Sequence, residues 1–111
     1  MPNYQNEIFR LRRQAVGNVE TFREQMAVYL KQLGELGQSA YYMDSFPTEY
    51  NVHKVSARKA LEDLATQIQM SCAILGFDFD DVVTNGFISF RDKMREVVRA
   101  KQEGREWRSL T

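Results

Sequence analysis

The sequence contains one cysteine, one histidine and two prolines among its 111 residues. A single cysteine excludes an intrachain disulfide, and Cys72 lies in an apolar helical run that favours a buried thiol. A thiol nucleophile needs a histidine partner, and nothing in the sequence brings His53 to Cys72. A secretory signal and a long apolar span are also lacking, so we expect a cytoplasmic protein with no membrane partner.

The chain has no excess of either charge. Fifteen basic residues balance fifteen acidic ones, so the formal net charge is zero. A general nucleic-acid binder needs a positive excess, and no nucleic-acid partner is therefore expected. Zero net charge also removes the repulsion that keeps copies apart, which favours self-association.

Alternating strand patterns are almost absent, and apolar residues recur at helical spacing nearly throughout. Pro47 marks the clearest break, and Gly76 is placed to end a helix. The pattern predicts one all-α domain over residues 1–111, arranged as an up-and-down four-helix bundle or as a pair of helical hairpins. The predicted helices cover about 3–16, 21–43, 56–75 and 79–102, followed by a tail at 103–111.

The second predicted helix opens with Thr21 and Glu24 at the spacing of a capping box. Its apolar stripe includes Phe22, Met26, Tyr29, Leu30 and Leu33. Gly34 and Gly37 each cost about 1 kcal/mol of helix stability relative to alanine. Close approach of another helix is the expected reason for tolerating them.

The third predicted helix carries an apolar stripe with spacings of three and four. Leu64 lies in the middle of this stripe and is expected to be buried. The stripe contains Leu61, Leu64, Ala65, Ile68, Cys72 and Leu75.

Two segments carry a family resemblance. "YLKQLGELGQSA" covers residues 29–40, and "KALEDLATQIQMSCAILGFDFDD" covers residues 59–81. Together they resemble the all-α nucleotide pyrophosphohydrolases, a superfamily that includes MazG and the phosphoribosyl-ATP pyrophosphohydrolases. The resemblance implies a MazG-like helical bundle, a homo-oligomer that is either a dimer or a tetramer, and a nucleotide as the possible ligand.

The resemblance also implies a magnesium site, built from Glu-Glu-x-x-Glu on one helix and Glu/Asp-x-x-Asp on another. Acidic oxygens on two facing helices suit Mg²⁺, which then neutralises phosphate charge and activates water. In this sequence Glu35 and Asp63 match metal ligands of the family. Lys31, Gln32 and Ala60 occupy the other ligand positions, so the implied site is incomplete. No cofactor is expected, unless the chain is an enzyme that uses Mg²⁺.

Lysines occupy two informative positions in this comparison. An ammonium at Lys31 would repel Mg²⁺; Lys31 either joins Glu35 and Asp63 in an ion-paired cluster or faces solvent. Family members often hold phosphate with lysine and asparagine on the last helix, where this chain has Gly86 and Phe90. Lys93 remains the candidate for a phosphate contact.

Three functions stay open at this stage. The first is a binding or assembly protein with a degenerate, non-catalytic metal site, in which Glu35, Asp63 and Lys31 are vestigial. The second is an atypical Mg²⁺-dependent nucleoside triphosphate pyrophosphohydrolase. The third is an unrelated helical interaction module, whose partner surface would be Trp107 with Arg99, Lys101, Arg105 and Arg108.

Overall fold

A computed structural model describes residues 2–17 and 21–106. Every secondary-structure element in these ranges is helical, which confirms the all-α class; the four-helix-bundle arrangement stays a prediction. The elements are α1 (Gln5–Val16), α2 (Phe22–Ser45), a 3₁₀ turn (Pro47–Glu49), α3 (Tyr50–Leu75) and α4 (Phe79–Gln102). The chain forms two compact units that divide after Phe79.

Two predicted helix ends are confirmed at the level of their caps. The Thr21 hydroxyl accepts a hydrogen bond from the Glu24 backbone N–H at 3.2 Å, as an N-terminal cap should. Gly76 ends α3 in the left-handed conformation, with φ 78° and its N–H donating to the Cys72 carbonyl. A side chain is disfavoured at that φ, which explains the glycine.

The predicted start of the third helix near Ser56 is wrong, because α3 begins at Tyr50. Phe46 has left the helical region, with φ −128° and ψ 73°, in keeping with the bias against helix at the residue before a proline. Pro47 then opens a 3₁₀ turn, and the Tyr50 N–H donates to the Pro47 carbonyl. The break at the proline is therefore confined to a few residues, and the chain returns to helix at once.

Helices α2 and α3 form an antiparallel hairpin. Near the start of α2, the Tyr29 hydroxyl lies 2.9 Å from the Gln67 carbonyl oxygen and 2.8 Å from the Ser71 Oγ, late in α3. Near the end of α2, the Tyr42 ring lies 5.1 Å from the ring of His53, early in α3. The two helices therefore run side by side in opposite directions.

Several of the most deeply buried residues of α2 and α3 are polar. Gln25 is fully buried and its amide donates to the Gln67 side chain. Ser39 and Ser71 are buried as well, and Ala60 is 2% exposed. The buried positions on each helix precede the apolar stripes by one residue, about 100° around the axis.

The apolar stripes themselves lie largely in the open. Leu30 of α2 is 72% exposed and Leu61 of α3 is 54% exposed. A Cβ built on Gly34 or Gly37 would meet no other atom within 4 Å. The expected close approach of a second helix at these glycines is therefore wrong within the described part of the chain.

The first helix is fastened to the end of α3 by side-chain amides. The buried Gln5 amide donates to the Phe77 carbonyl at 2.7 Å, and its oxygen accepts from the Phe79 backbone N–H. The Tyr4 backbone N–H donates to the Gln69 side chain at 2.7 Å. Gln5 thus satisfies backbone groups in the segment that follows Gly76.

The second unit contains most of α4 and the residues after it up to Glu106. Glu96 accepts from Arg99 at 2.7 Å and from Arg105 at 3.3 Å, while Glu103 pairs with Arg105 at 2.6 Å. Two arginines of the predicted basic partner surface are therefore neutralised by neighbouring carboxylates. Trp107 and Arg108 lie outside the described residues.

Candidate functional site

An open cleft of about 370 Å³ lies between α2 and α3 and contains Glu35, so we call it the Glu35 cleft. From α2 it is lined by Glu35, Gln38 and Ser39, and from α3 by Val55, Ser56, Lys59 and Ala60. Glu35 comes one residue before the half-buried Leu36, and Lys59 comes one residue before the buried Ala60. The antiparallel hairpin thus turns both charged side chains toward the same cleft.

Asp63 is paired with a lysine on its own helix. The Lys59 Nζ lies 2.8 Å from the Asp63 Oδ1, one helical turn away. Hydrogen bonding to Asp63, with its Coulombic attraction, raises the pKa of Lys59 above its ordinary value. The ammonium of Lys59 therefore stays charged at neutral pH and neutralises the carboxylate of Asp63.

The cluster of Lys31, Glu35 and Asp63 considered from the sequence is not formed. Lys31 is exposed and makes no ion pair with a described residue, whereas Asp63 pairs with Lys59. Of the two alternatives for Lys31, the structure shows the solvent-facing one. Lys59 is the cation that the structure supplies beside Asp63.

Ala60 stands where the resemblance implies an acidic ligand. Its side chain is 2% exposed, so the methyl group is enclosed at the α2–α3 contact. A carboxylate there would lose its hydration without gaining a partner, which is costly. The packing of the hairpin therefore suits alanine at this position.

The donor set of the Glu35 cleft differs from that of a magnesium site. Mg²⁺ prefers several oxygen ligands in near-octahedral geometry, usually including carboxylates. Glu35 is the carboxylate among the cleft-lining residues, which also provide the hydroxyls of Ser39 and Ser56 and the ammonium of Lys59. Among the described residues, no three or more His, Cys, Asp or Glu side chains come close enough together to hold a metal ion. The lining residues can hydrogen-bond a polar group. They carry one negative charge, on Glu35, and one positive charge, on Lys59.

Sequence reasoning missed Lys59, Ser56 and Gln38 as members of this site. The four-residue spacing of Lys59 and Asp63 is a signal that could have identified their pairing, since side chains four apart meet on a helix. The position of Gln38 and Ser56 around Glu35 depends on the register of α2 against α3. That register is a tertiary property and has no comparable signal in the sequence.

Two other candidates are not among the residues that line the Glu35 cleft. Lys93, the predicted phosphate contact, is an exposed residue of α4 in the second unit. Cys72 is a free thiol and is 5% exposed, which confirms its predicted burial. Burial raises the pKa of the Cys72 thiol, which disfavours the thiolate that a nucleophile requires.

A larger depression of about 710 Å³ lies beside the start of α1. Its polar side chains already bond to one another: the Asn3 amide donates to Gln5 at 3.3 Å and to Asp78 at 3.2 Å. The Gln5 side chain is in turn used on the backbone at Phe77 and Phe79. The hydrogen bonds of these side chains therefore hold the start of α1 in place. The Glu35 cleft is the better candidate site.

Comparison of the chain with protein families, with curated proteins and with solved structures finds no match. In the described residues, none of the helices combines the length and apolar character needed to cross a membrane.

Proposed function

We propose that this protein is a MazG-like binding or assembly protein in which the metal site of the nucleotide pyrophosphohydrolases has become non-catalytic. The observation that carries the proposal is the ion pair between Lys59 and Asp63. In the resemblance, Asp63 is a metal ligand; here its carboxylate is already neutralised by a lysine. Glu35 and Asp63 are then vestigial, and the Glu35 cleft holds at most a polar ligand such as a nucleotide.

Two further features support this proposal. The enclosed methyl of Ala60 replaces an acid that the resemblance implies, and the exposed Lys31 replaces another. Each change removes a negative charge, and Lys31 also adds a positive one. The electrostatic attraction of the cleft for a divalent cation falls with each of these changes.

Magnesium titration tests the metal part of the proposal. An ion that binds only the folded state raises the melting temperature by mass action. We expect millimolar Mg²⁺ to leave the melting temperature of the wild type unchanged, calorimetry to show no binding, and nucleoside triphosphates to remain intact. Strong stabilisation by Mg²⁺, or release of pyrophosphate, would overturn the proposal in favour of the atypical enzyme.

The assembly part of the proposal is a homo-oligomer. Large apolar side chains are exposed on the hairpin, including Leu30 at 72% and Leu33 at 54%. The chain also has zero net charge, so copies do not repel each other at long range. Light scattering at micromolar concentration tests this part, and a particle of 13.0 kDa, the mass of one chain, would contradict it.

A further inference from the structure

Two neutral side chains that line the Glu35 cleft already use hydrogen-bond donors within the protein. The Gln38 side-chain amide donates to the Tyr42 hydroxyl at 3.1 Å, and the Ser56 hydroxyl donates to the Val52 carbonyl at 3.4 Å. The amide oxygen of the first and the hydroxyl oxygen of the second keep unused lone pairs. Both side chains therefore offer oxygen acceptors to a ligand, with one further N–H on Gln38.

Ser39 adds a buried hydroxyl to the same lining. Its residue is 7% exposed, and its side chain makes no hydrogen bond with any residue that the structure describes. A buried polar group without a partner is costly, so a ligand that bonds to this hydroxyl relieves the cost. Ser39 is thus a polar contact that the fold itself does not use.

The charge at the cleft is negative once Asp63 is counted. The Lys59 ammonium lies 2.8 Å from the Asp63 carboxylate, so this pair is neutral as a whole. Glu35 forms no ion pair within the described part of the chain, and its charge is left unbalanced. The Coulombic field of Glu35 therefore attracts a cation and repels an anion such as a phosphate group.

The rest of the lining is apolar, and the cleft is small. Val55 and Ala60 contribute hydrocarbon surface from α3. The volume of about 370 Å³ is near the lower end of the range of about 300–1,000 Å³ for small-molecule pockets. A ligand with one charged nitrogen and a short alkyl chain matches both the apolar surface and the size.

We propose that the Glu35 cleft binds a small primary alkylamine in its protonated form. An ammonium has three N–H donors and no acceptor, which complements a lining of oxygen acceptors. It pairs with Glu35 and donates to the oxygens of Gln38 and Ser39, while the alkyl chain packs on Val55. This inference rests on the binding role in the proposed function and names the ligand as an organic cation, in place of a nucleotide.

A titration of the full-length chain with n-butylammonium chloride, followed by nuclear magnetic resonance, tests the proposal. We expect saturable shifts of amide signals from the residues that line the cleft. Sodium butanoate reverses the charge, and tetramethylammonium keeps the charge without an N–H donor. Both should bind about tenfold more weakly or worse, because a hydrogen bond to a charged group is lost. Equal binding of either compound, or no saturable binding of butylammonium, overturns the proposal.

Glu35→Gln keeps the shape of the side chain and removes its charge. The Kd for butylammonium should rise by about tenfold or more. Glu62→Gln is the matched control, because Glu62 is an exposed residue of α3 that does not line the cleft, and this variant should bind like the wild type. Unchanged affinity of Glu35→Gln, or an equal loss in the two variants, overturns the proposal.

Lys59→Gln separates an amine from a phosphate ligand. This change leaves the carboxylate of Asp63 without its ammonium, which makes the cleft more negative. Butylammonium should therefore bind more tightly to Lys59→Gln than to the wild type, and weaker binding overturns the proposal. If AMP binds at the cleft and butylammonium does not, this inference fails while the nucleotide of the proposed function stands. The magnesium titration tests the metal part of that function separately.

Discussion

Lys59 and Asp63 lie one turn apart on α3, and the ammonium of the first is 2.8 Å from the carboxylate of the second. This pair occupies the region in which the family resemblance implies a cation held by acidic side chains. The ammonium of Lys59 thus supplies positive charge beside Asp63. The pair is largely exposed, since the Lys59 side chain is 71% accessible, so its effect on stability is weakened by solvent screening.

Reversing the charge of Lys59 and adding an acid at position 38 should make the melting temperature respond to Mg²⁺. In the double variant Gln38→Glu with Lys59→Glu, Glu35 and the new acid at position 38 lie on one turn of α2, facing the new acid at position 59 across the cleft. Without metal, these carboxylates repel and raise one another's pKa, which lowers the melting temperature. Millimolar Mg²⁺ should restore it, because the ion binds the folded state.

The matched control for that experiment is Gln14→Glu with Lys54→Glu, which makes the same change of charge on exposed residues away from the cleft. Its melting temperature should not respond to Mg²⁺. Equal responses of the two double variants would show that the effect is general charge screening, and the Glu35 cleft would lose its standing as the former cation site.

Gln5→Ala should destabilise the first unit. The Gln5 side chain satisfies the Phe77 carbonyl and the Phe79 N–H, and a buried unsatisfied group costs about 1–3 kcal/mol. Urea unfolding should therefore show a loss of about 2 kcal/mol or more in the free energy of unfolding. Asn6→Ala, on an exposed neighbour of the same helix, should change it by less than about 0.5 kcal/mol.

Tyr29 should give stability a pH dependence in the alkaline range. Burial raises the pKa of Tyr29 above its ordinary value of 10.0. The protonated phenol is therefore favoured in the folded state, so its contribution is complete below about pH 10 and is lost as the pH rises through the folded pKa. The free energy of unfolding of the wild type should fall in that window.

Tyr29→Phe isolates this contribution. At neutral pH the variant should lose about 1 kcal/mol, because the bonds to the Gln67 carbonyl and the Ser71 hydroxyl are removed. Above pH 10 its stability should fall less steeply than that of the wild type. Tyr41→Phe, at a position that is 67% exposed, should follow the wild type, and an identical slope for Tyr29→Phe would contradict the assignment.

Ala60→Leu should destabilise the packing of α2 against α3. Ala60 is 2% exposed, and inserting a larger side chain into a packed contact costs about 1–3 kcal/mol. Thermal or urea unfolding measures the loss. Ala27→Leu makes the same substitution on an exposed position of α2 and should be nearly neutral. A neutral Ala60→Leu variant would mean that α2 and α3 do not meet at this residue.

Much of the local structure could be predicted from the sequence. The cap at Thr21 and the end of α3 at Gly76 were predictable because each depends on one residue and its immediate neighbours. The start of α3 was not, because the restraint that Pro47 places on Phe46 is strictly local and does not reveal where the helix resumes. The residues Glu35 and Asp63 were identified from the family resemblance, and the spacing of Lys59 and Asp63 was a local signal for their pairing. The neighbours of Glu35 across the cleft required the register of α2 against α3.

The sequence by itself determined the helical class, the positions of the caps and the apolar stripes, because helix periodicity and capping act within a few residues. It did not determine which stripe of α2 packs on α3. Leu33 and Leu61 are the more hydrophobic choices, yet Gln32 and Ala60 lie on the contact while the leucines remain exposed. Only the tertiary structure decides this, because the antiparallel pairing lets Tyr29 bond to Gln67 and Ser71, and a buried polar contact depends on geometry between distant residues. The same pairing brings Lys59 of α3 to the cleft that contains Glu35 of α2.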